Sequence, residues 1–302
     1  MGWKTIYIDE HCNVSLSMSS LKVKLDDDYI SVPLQDIQTV VFAHDKMTIT
    51  LPIINALIEN NVGIIVTNKS KDPSGIFLPF NNHSVVFKQL KQQLEWKKTR
   101  KKKLWKLIIQ DKIASEIELM KLFDCDDSDI RVMDMYNKNV ENGDASNREG
   151  IAARLYFQKI FGEDFIRHQD DVYNFALDYG YKIVASIISR YIASRGYLVQ
   201  YGINHIGESN PFNLTYDFIE VFRIFVDYLV LTKIEPANLF SMEDRINLVD
   251  IGNYMVRVNN KKYRLSHAIE MVIDSYFSFL EERSETILQI EYKKLYEFKE
   301  AD

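Results

Sequence analysis

The chain has 302 residues, 46% apolar and 26% charged, which suffices for one large core or two ordinary ones and excludes a long disordered tail. Its two cysteines, Cys12 and Cys125, have neither CxxC nor Cys/His spacing, which excludes a disulfide scaffold and a structural zinc module. The net charge of −6 is unevenly distributed, because residues 88–112 carry ten Lys or Arg against two acids and the remainder carries −14.

The beginning of the sequence has no feature of an export signal or lipid anchor. Asp9 and Glu10 interrupt the apolar run that a signal peptide needs, and Ile6 stands where a myristoylation motif has Ser or Thr. The most apolar stretch, 224–231, contains Asp227 and is too short to span a bilayer. We therefore expect a cytoplasmic protein that does not associate with membranes.

The first 66 residues predict a small β-rich domain. Alternating apolar residues predict two strands on either side of a turn at 26–28, and Thr50 with Pro52 predicts the start of a short helix that ends before Gly63. The predicted strands are 5–8, 21–25, 30–34, 37–42 and 64–66.

Residues 67–83 concentrate Pro, Gly, Asn and Ser, which predicts a linker or domain boundary. No proline follows from 80 to 210, and apolar residues recur at helical spacing. The predicted fold class is α+β multidomain: an N-terminal β-rich domain at 1–78 and a larger all-α domain at 79–302.

The basic run is centred on a predicted helix. A solvated helix face is the ordinary explanation of a charge run, but an excess of one sign repels itself unless an anion lies opposite, which favours a phosphate backbone. A membrane surface is less favoured because Trp96 and Trp105 belong to a helix that also needs apolar residues for packing. The candidate DNA-binding residues are Lys97, Lys98, Arg100, Lys101, Lys102 and Lys103.

Two acidic stretches could carry chemistry. Ser146 and Glu149 have capping-box spacing, so Glu149 has a structural explanation. His205 lies in a Gly/Asn/Pro-rich loop before a helix that carries Asp217 and Glu220 three residues apart. Each acid alone could serve the helix dipole, but carboxylates with one imidazole and no thiolate suit Mg²⁺ or Mn²⁺ and phosphodiester chemistry.

Four motifs in order make the sequence resemble the CRISPR-associated adaptation integrases and endonucleases, the Cas-one family. They are Glu149-Gly-Ile-Ala-Ala-Arg-Leu-Tyr-Phe, the segment 174–181, the loop with His205, and 214–223 with Asp227. The opening Ile-Asp-Glu-His-Cys-Asn and the acidic balance are similar to the version found in type II systems. Ile224 replaces a proline common in the family, and Glu220 stands where many members have Asp.

The resemblance implies that Glu149, His205 and Glu220 bind one Mg²⁺ or Mn²⁺ ion as the catalytic set, with Asp217 as an auxiliary acid. Whether Asp217 or Glu220 lies closer to the metal stays open. The implied reaction is transesterification, in which the 3′-hydroxyl of a short captured double-stranded DNA (a prespacer) attacks the repeat of a CRISPR array during spacer acquisition.

The resemblance also implies a homodimer formed through the β-rich domains and a four-to-two complex with a small Cas-two dimer, with further adaptation proteins of a type II system as other partners. His11 could stack on a DNA end, although an ordinary turn histidine explains it as well. The other histidines, His44, His83, His168 and His267, are interpreted as structural. The same ligands would serve a hydrolytic nuclease, and a DNA-binding scaffold would use only the basic surface.

Overall fold

A computed structural model of the chain describes residues 3–25, 28–78, 86–236 and 239–298. Its contacts divide the chain into two compact units, Met1–Phe80 and Asn81–Asp302. A β-rich first unit and a mainly helical second unit confirm the predicted α+β class. His83 and the end of the predicted linker lie outside the described residues.

The first unit contains two four-stranded sheets and one helix. One sheet has the order β1-β5-β7-β8 and the other β4-β3-β2-β6. The strands are β1 (Lys4–Ile8), β2 (Asn13–Ser17), β3 (Ser20–Leu25), β4 (Asp28–Pro33), β5 (Ile37–Phe42), β6 (Thr48–Ile49), β7 (Gly63–Thr67) and β8 (Pro73–Ile76), and helix α1 spans Leu51–Glu59.

The apolar runs of this unit predict its central strands. All six residues of β5 are buried, as expected for a strand that pairs in parallel with β1 and β7. Thr50 precedes α1 as predicted, but its side chain makes no capping hydrogen bond. The prediction of a linker over 67–83 is wrong at β8, which pairs antiparallel with β7 despite its Pro and Gly.

The second unit is built around one long helix. Helix α3 packs against α4, α5, α8, α10 and a 3₁₀ turn at Glu220–Phe222, and thirteen of its residues are buried. The helices are α2 (Val86–Leu94), α3 (Lys98–Leu122), α4 (Asp127–Lys138), α5 (Arg148–Phe161), α6 (Val172–Ser194), α7 (Asn213–Ile219), α8 (Arg223–Lys233), α9 (Met242–Val249) and α10 (Leu265–Leu280). In the described ranges, no helix combines the length and apolarity needed to cross a membrane.

This unit also contains a hairpin that the all-α prediction missed. Strand β9 (Met255–Val258) pairs antiparallel with β10 (Lys261–Arg264). Asn259 and Asn260 connect them with positive φ angles of 50° and 62°. Asparagine tolerates this left-handed conformation better than most residues, so a two-residue turn forms without glycine.

Candidate functional site

A cavity of about 260 Å³ lies among the helices of the second unit. Its lining is dominated by charged and ionisable side chains drawn from four elements and one loop. These side chains are Lys112, Glu116, Glu149, His205, Glu220, Arg223 and Asp227. The structure therefore brings together the three residues that the sequence predicts as a catalytic set.

Glu149 and Glu220 meet at the side chain of Lys112. Lys112 Nζ lies 2.8 Å from Glu149 Oε1 and 2.6 Å from Glu220 Oε2. Helix α3 supplies the lysine, α5 supplies Glu149, and the 3₁₀ turn supplies Glu220. Burial alone would lower the pKa of Lys112, but Glu220 and Glu149 outweigh it and raise that pKa. One position between two helices and a turn thus accommodates a cation.

Glu149 does not form the capping box that its spacing with Ser146 allows. Asn147 is the N-cap of α5, and its side chain accepts from Gly150 N. The Asp144 carboxylate accepts from Arg148 N at 2.8 Å and from Glu149 N at 3.0 Å. Because other side chains satisfy the helix start, the structural explanation of Glu149 is wrong and its carboxylate faces the cavity.

Glu220 is buried between two cations. Arg223 lies 3.0 Å from Glu220 Oε1, and Lys112 contacts the other oxygen, Oε2. Burial opposes ionisation of this carboxyl, but Arg223 and Lys112 outweigh it and hold its pKa at about 2. Glu220 is therefore ionised throughout the physiological range.

Asp217 supports the loop that carries His205. Its Oδ2 accepts from Ile203 N at 2.6 Å and Asn204 N at 3.1 Å, and its Oδ1 accepts from His205 N at 2.9 Å. The fully buried carboxylate also lies 2.8 Å from His205 Nδ1. The two acids that the sequence places three residues apart thus face different environments.

The loop also depends on a glycine. A Cβ atom at Gly202 would lie 2.3 Å from the carbonyl oxygen of His205 and 2.5 Å from Asp217 Oδ2. The hydrogen bond with Asp217 raises the pKa of His205 against the effect of burial. Trp105 packs edge-on against the imidazole, with the ring centroids 5.6 Å apart. The ring is therefore held on two sides while almost half of the side chain remains exposed.

Sequence analysis gave no role to two acids of this cavity. Glu116 Oε2 is buried and has no hydrogen-bond partner among the described residues, and burial raises the pKa of its carboxyl to about 8. Asp227 accepts from Tyr156 at 2.8 Å and Tyr181 at 2.5 Å, and burial raises its pKa to about 6. The available sequence signal for Glu116 was its spacing from Lys112, because the two residues lie one helical turn apart.

The basic start of α3 is partly neutralised by the segment after α10. Lys97 pairs with Glu282 at 2.7 Å, and Arg100 Nη1 lies 2.8 Å from Glu285 Oε2. Lys103 lies 3.4 Å from the same Glu285 oxygen. The one-sided charge of the sequence is therefore smaller on the folded surface.

The remaining candidate DNA contacts differ in their surroundings. Lys98 and Lys102 are exposed, and the described chain gives neither an acidic partner. Lys101 lies 4.6 Å from the centroid of the Tyr201 ring. His11, in the first unit, lies beside His44 with ring centroids 6.4 Å apart.

Protein cations engage the two glutamates of the predicted catalytic set. Within the described ranges, no three His, Cys, Asp or Glu side chains are arranged so that they could hold a metal ion as they stand. The position between Glu149 and Glu220 is taken by the Lys112 ammonium.

Sequence comparisons identify relatives of the chain. The profile of the family described as CRISPR associated protein Cas1 matches residues 6–244. The chain is 29% identical over 279 residues to the CRISPR-associated endonuclease Cas1 of Neisseria meningitidis serogroup C (strain 8013), covering 91% of each protein. It is 26% identical over 245 residues to the CRISPR-associated endonuclease Cas1 2 of Saccharolobus solfataricus, covering 78% of this chain and 76% of that protein.

Solved structures share the fold. A casposase bound to integration product has a TM-score of 0.76 at 19% identity, over 96% of this chain and 93% of that one. A Cas1 protein from Thermotoga maritima has a TM-score of 0.70 at 14% identity, over 92% and 97%. A chain of a Cas6-RT-Cas1–Cas2 complex has a TM-score of 0.73 at 16% identity, over 96% of this chain and 36% of that one.

Proposed function

The chain belongs to the Cas1 family of CRISPR-associated proteins, and from this premise we propose that it joins the 3′-hydroxyl ends of captured short DNA to a CRISPR repeat. The joining is a metal-dependent transesterification that serves antiviral defence in the cytoplasm. The observation that carries the proposal is the cavity where Glu149 and Glu220 meet at one cationic position beside His205.

The donor set fits a hard divalent cation. The carboxyl groups of Glu116, Glu149, Glu220 and Asp227 line the cavity beside the cationic Lys112 and Arg223. Because burial raises the pKa of Glu116 to about 8, its carboxyl adds negative charge near neutral pH only when a nearby cation favours its ionisation. Carboxylate oxygens and one imidazole, without thiolates, suit Mg²⁺ or Mn²⁺. We propose that Glu149, His205 and Glu220 would hold this ion. When bound, it supplies Lewis acidity that polarises the scissile phosphate and offsets the charge of the five-coordinate transition state.

The protein's own residues prepare this chemistry. Asp217 engages Nδ1 of His205, which leaves Nε2 as the ring nitrogen available to a ligand or a proton. Arg223 and Lys112 keep Glu220 ionised, so the carboxylate needs no deprotonation before it acts. Asp217 is auxiliary in the sense that it positions the imidazole.

DNA would reach the cavity along a basic surface. Lys98 and Lys102 are exposed, and Lys97 is paired only with a partly exposed acid, so phosphates can approach all three. A relative in fold is a casposase bound to integration product, and another belongs to a complex with Cas2. These names support DNA and Cas2 as partners, and we propose a homodimer that assembles with a Cas2 dimer in a four-to-two complex.

A hydrolytic nuclease is the second candidate function. The curated relatives are named endonucleases, and water in place of the 3′-hydroxyl would use the same side chains. The products separate the two reactions, because transesterification transfers the label of one DNA to another and hydrolysis does not.

Strand transfer with purified protein tests the proposal. Labelled short duplex DNA and a supercoiled plasmid carrying a repeat are mixed with the protein, its small partner and Mn²⁺, Mg²⁺ or EDTA. We expect the label to join the plasmid only with metal, and Glu149→Ala to abolish joining while DNA binding persists. Glu118→Ala is the matched control, since Glu118 lies on α3 and pairs with Lys121 at the surface. Cleavage without joining would favour the nuclease, and binding alone a scaffold.

A further inference from the structure

Lys112 stands at the position where the proposed function requires a metal ion. The lysine is buried, and its ammonium contacts one oxygen of Glu149 and one of Glu220. A lysine that merely neutralised a surface would keep its ammonium in water, since the long stem of the side chain allows it. Here the whole side chain enters the cavity, so the charge is placed where two carboxylates would otherwise repel each other.

A second acceptor for this ammonium lies one helical turn away. Glu116 follows Lys112 by four residues on α3, so the two side chains share one face of the helix. In the part of the chain that the structure describes, the buried Glu116 Oε2 has no hydrogen-bond partner, and the residue lines the same cavity. A buried carboxylate oxygen without a partner is costly, so this one is suited to receive a cation.

We propose that Lys112 is the resident counter-ion of the metal site. Its ammonium holds Glu149 and Glu220 together in the metal-free protein and turns to Glu116 when a divalent cation binds between them. Lys112 is thus a positioning residue that keeps the ligands in place and competes with the ion. This inference rests on the proposed function, because it concerns the same ligands.

A lysine that can move meets two requirements that neither a vacant site nor a fixed lysine could meet together. Without Lys112, the buried carboxylate of Glu220 and the partly buried carboxylate of Glu149 would lose the cation that they share, and the metal-free protein would lose stability. With Lys112 fixed in place, a divalent ion would be repelled at short range. A second carboxylate within reach of the same flexible side chain removes this conflict.

Manganese binding measured without DNA tests the inference. Electron paramagnetic resonance of free Mn²⁺ gives the dissociation constant for the full-length wild type, Lys112→Met and the control Lys106→Met. Lys106 lies on the same helix outside the cavity. We expect Lys112→Met to bind Mn²⁺ roughly tenfold or more tightly, because the competing charge is gone. Lys106→Met should match the wild type.

The thermal midpoint gives a second readout. Metal-free Lys112→Met should unfold at a lower temperature than the wild type, and saturating Mn²⁺ should raise its midpoint by more than it raises that of the wild type. Equal or weaker Mn²⁺ binding by a folded Lys112→Met overturns the inference. If Lys112→Met does not fold, Lys112→Arg provides the test. The planar guanidinium of arginine should bridge both carboxylates more firmly and weaken Mn²⁺ binding about fivefold. Unchanged Mn²⁺ binding by Lys112→Arg would contradict the inference.

Failure of the proposed function gives a different result. If neither wild type nor Lys112→Met binds Mn²⁺, or if Glu149→Gln leaves binding unchanged, the metal is not held at this site, and the inference falls with the metal site. If wild type binds Mn²⁺ through Glu149 and Lys112→Met binds no better, only the role of Lys112 is overturned.

Discussion

Asp217 and Glu220 lie three positions apart in the sequence, yet they serve two different regions of the molecule, a loop and a cavity. Asp217 is surrounded by donors, since three backbone N–H groups and the imidazole of His205 engage its two oxygens. Glu220 is held by cations, since Lys112 contacts one of its oxygens and Arg223 contacts the other. The first environment orders a loop, and the second keeps a charged group in a cavity.

This difference shows that the partners of a buried acid, more than its burial, determine whether its carboxylate can bind a ligand. A carboxylate saturated by backbone donors has no oxygen left for a ligand. A carboxylate held by a flexible lysine can exchange that lysine for another cation. The charge environment of the cavity therefore separates the proposed ligands from the acid that supports them.

The largest expected effect tests the cavity side of this comparison. Glu220→Gln keeps the shape of the side chain and removes its charge, so we expect the rate of strand transfer to fall about a thousandfold. The measurement is the initial rate of joining at saturating Mn²⁺, with DNA affinity determined in parallel. Asp217→Asn should reduce the rate less, and an equal loss in both variants would contradict the division of roles.

The second effect tests the loop side. Asp217→Ala leaves three buried or half-buried N–H groups without an acceptor, so we expect the free energy of unfolding to fall by roughly 3 kcal/mol. Urea denaturation measures the loss, and amide exchange at Ile203, Asn204 and His205 should accelerate more than in the rest of the chain. A loss below about 1 kcal/mol would show that the loop does not depend on this carboxylate.

A third buried acid extends the comparison to neutral partners. Asp111 receives hydrogen bonds only from Tyr292 and Gln289 among the described residues, and burial raises its pKa from 3.8 to about 7. The folded state thus holds this proton more tightly than the unfolded state does. Its stabilising contribution is complete below pH 3.8 and is lost as the pH rises through about 7.

Asp111→Asn removes this titration. We expect the variant to exceed the wild type by roughly 4 kcal/mol in free energy of unfolding at pH 8 and to equal it near pH 4. Denaturant unfolding across this range measures the difference. The pH dependence of stability from Glu220 has the opposite sign. Its lowered pKa contributes stability that is lost as the pH falls below 4.5 towards about 2. If the difference in free energy of unfolding between the wild type and Asp111→Asn did not change with pH, the raised pKa of Asp111 would be contradicted.

The smallest effect concerns the basic surface. Lys98→Ala and Lys102→Ala should each weaken DNA binding about threefold at 0.1 M salt and lower the salt dependence by roughly one unit of slope. Fluorescence anisotropy at several salt concentrations measures both. Arg100→Ala should instead reduce stability, because Arg100 is buried against Glu285 and Ser284. Equal effects of the three variants on DNA binding would contradict this distinction.

The elements predicted from the sequence are those with strong periodicity. The buried runs of β5 and β7 and the long proline-free helices follow from apolar spacing alone. Strand β8 was missed because Pro73 and Gly75 indicate a turn, and only pairing with β7 makes them an edge strand. The Asn259-Asn260 turn was a usable signal for the second hairpin.

The candidate site was predicted less completely. The family motifs identify Glu149, His205 and Glu220, and the cavity brings them together. Lys112 and Glu116 were not predicted as site residues, because their helix was interpreted by its basic surface. The partners of a buried charge such as Lys112 come from other elements of the fold. Spacing along one element cannot reveal such contacts. The capping explanation of Glu149 failed for a local reason, because Asn147 caps the helix in place of Ser146.

A crystal structure of the protein grown with Mn²⁺, with anomalous scattering recorded at the manganese edge, tests the central claim most directly. The account predicts one strong peak between Glu149 and Glu220, with His205 as a third ligand and Lys112 turned to Glu116. A peak elsewhere, or Lys112 still bridging Glu149 and Glu220 at saturating Mn²⁺, would contradict it.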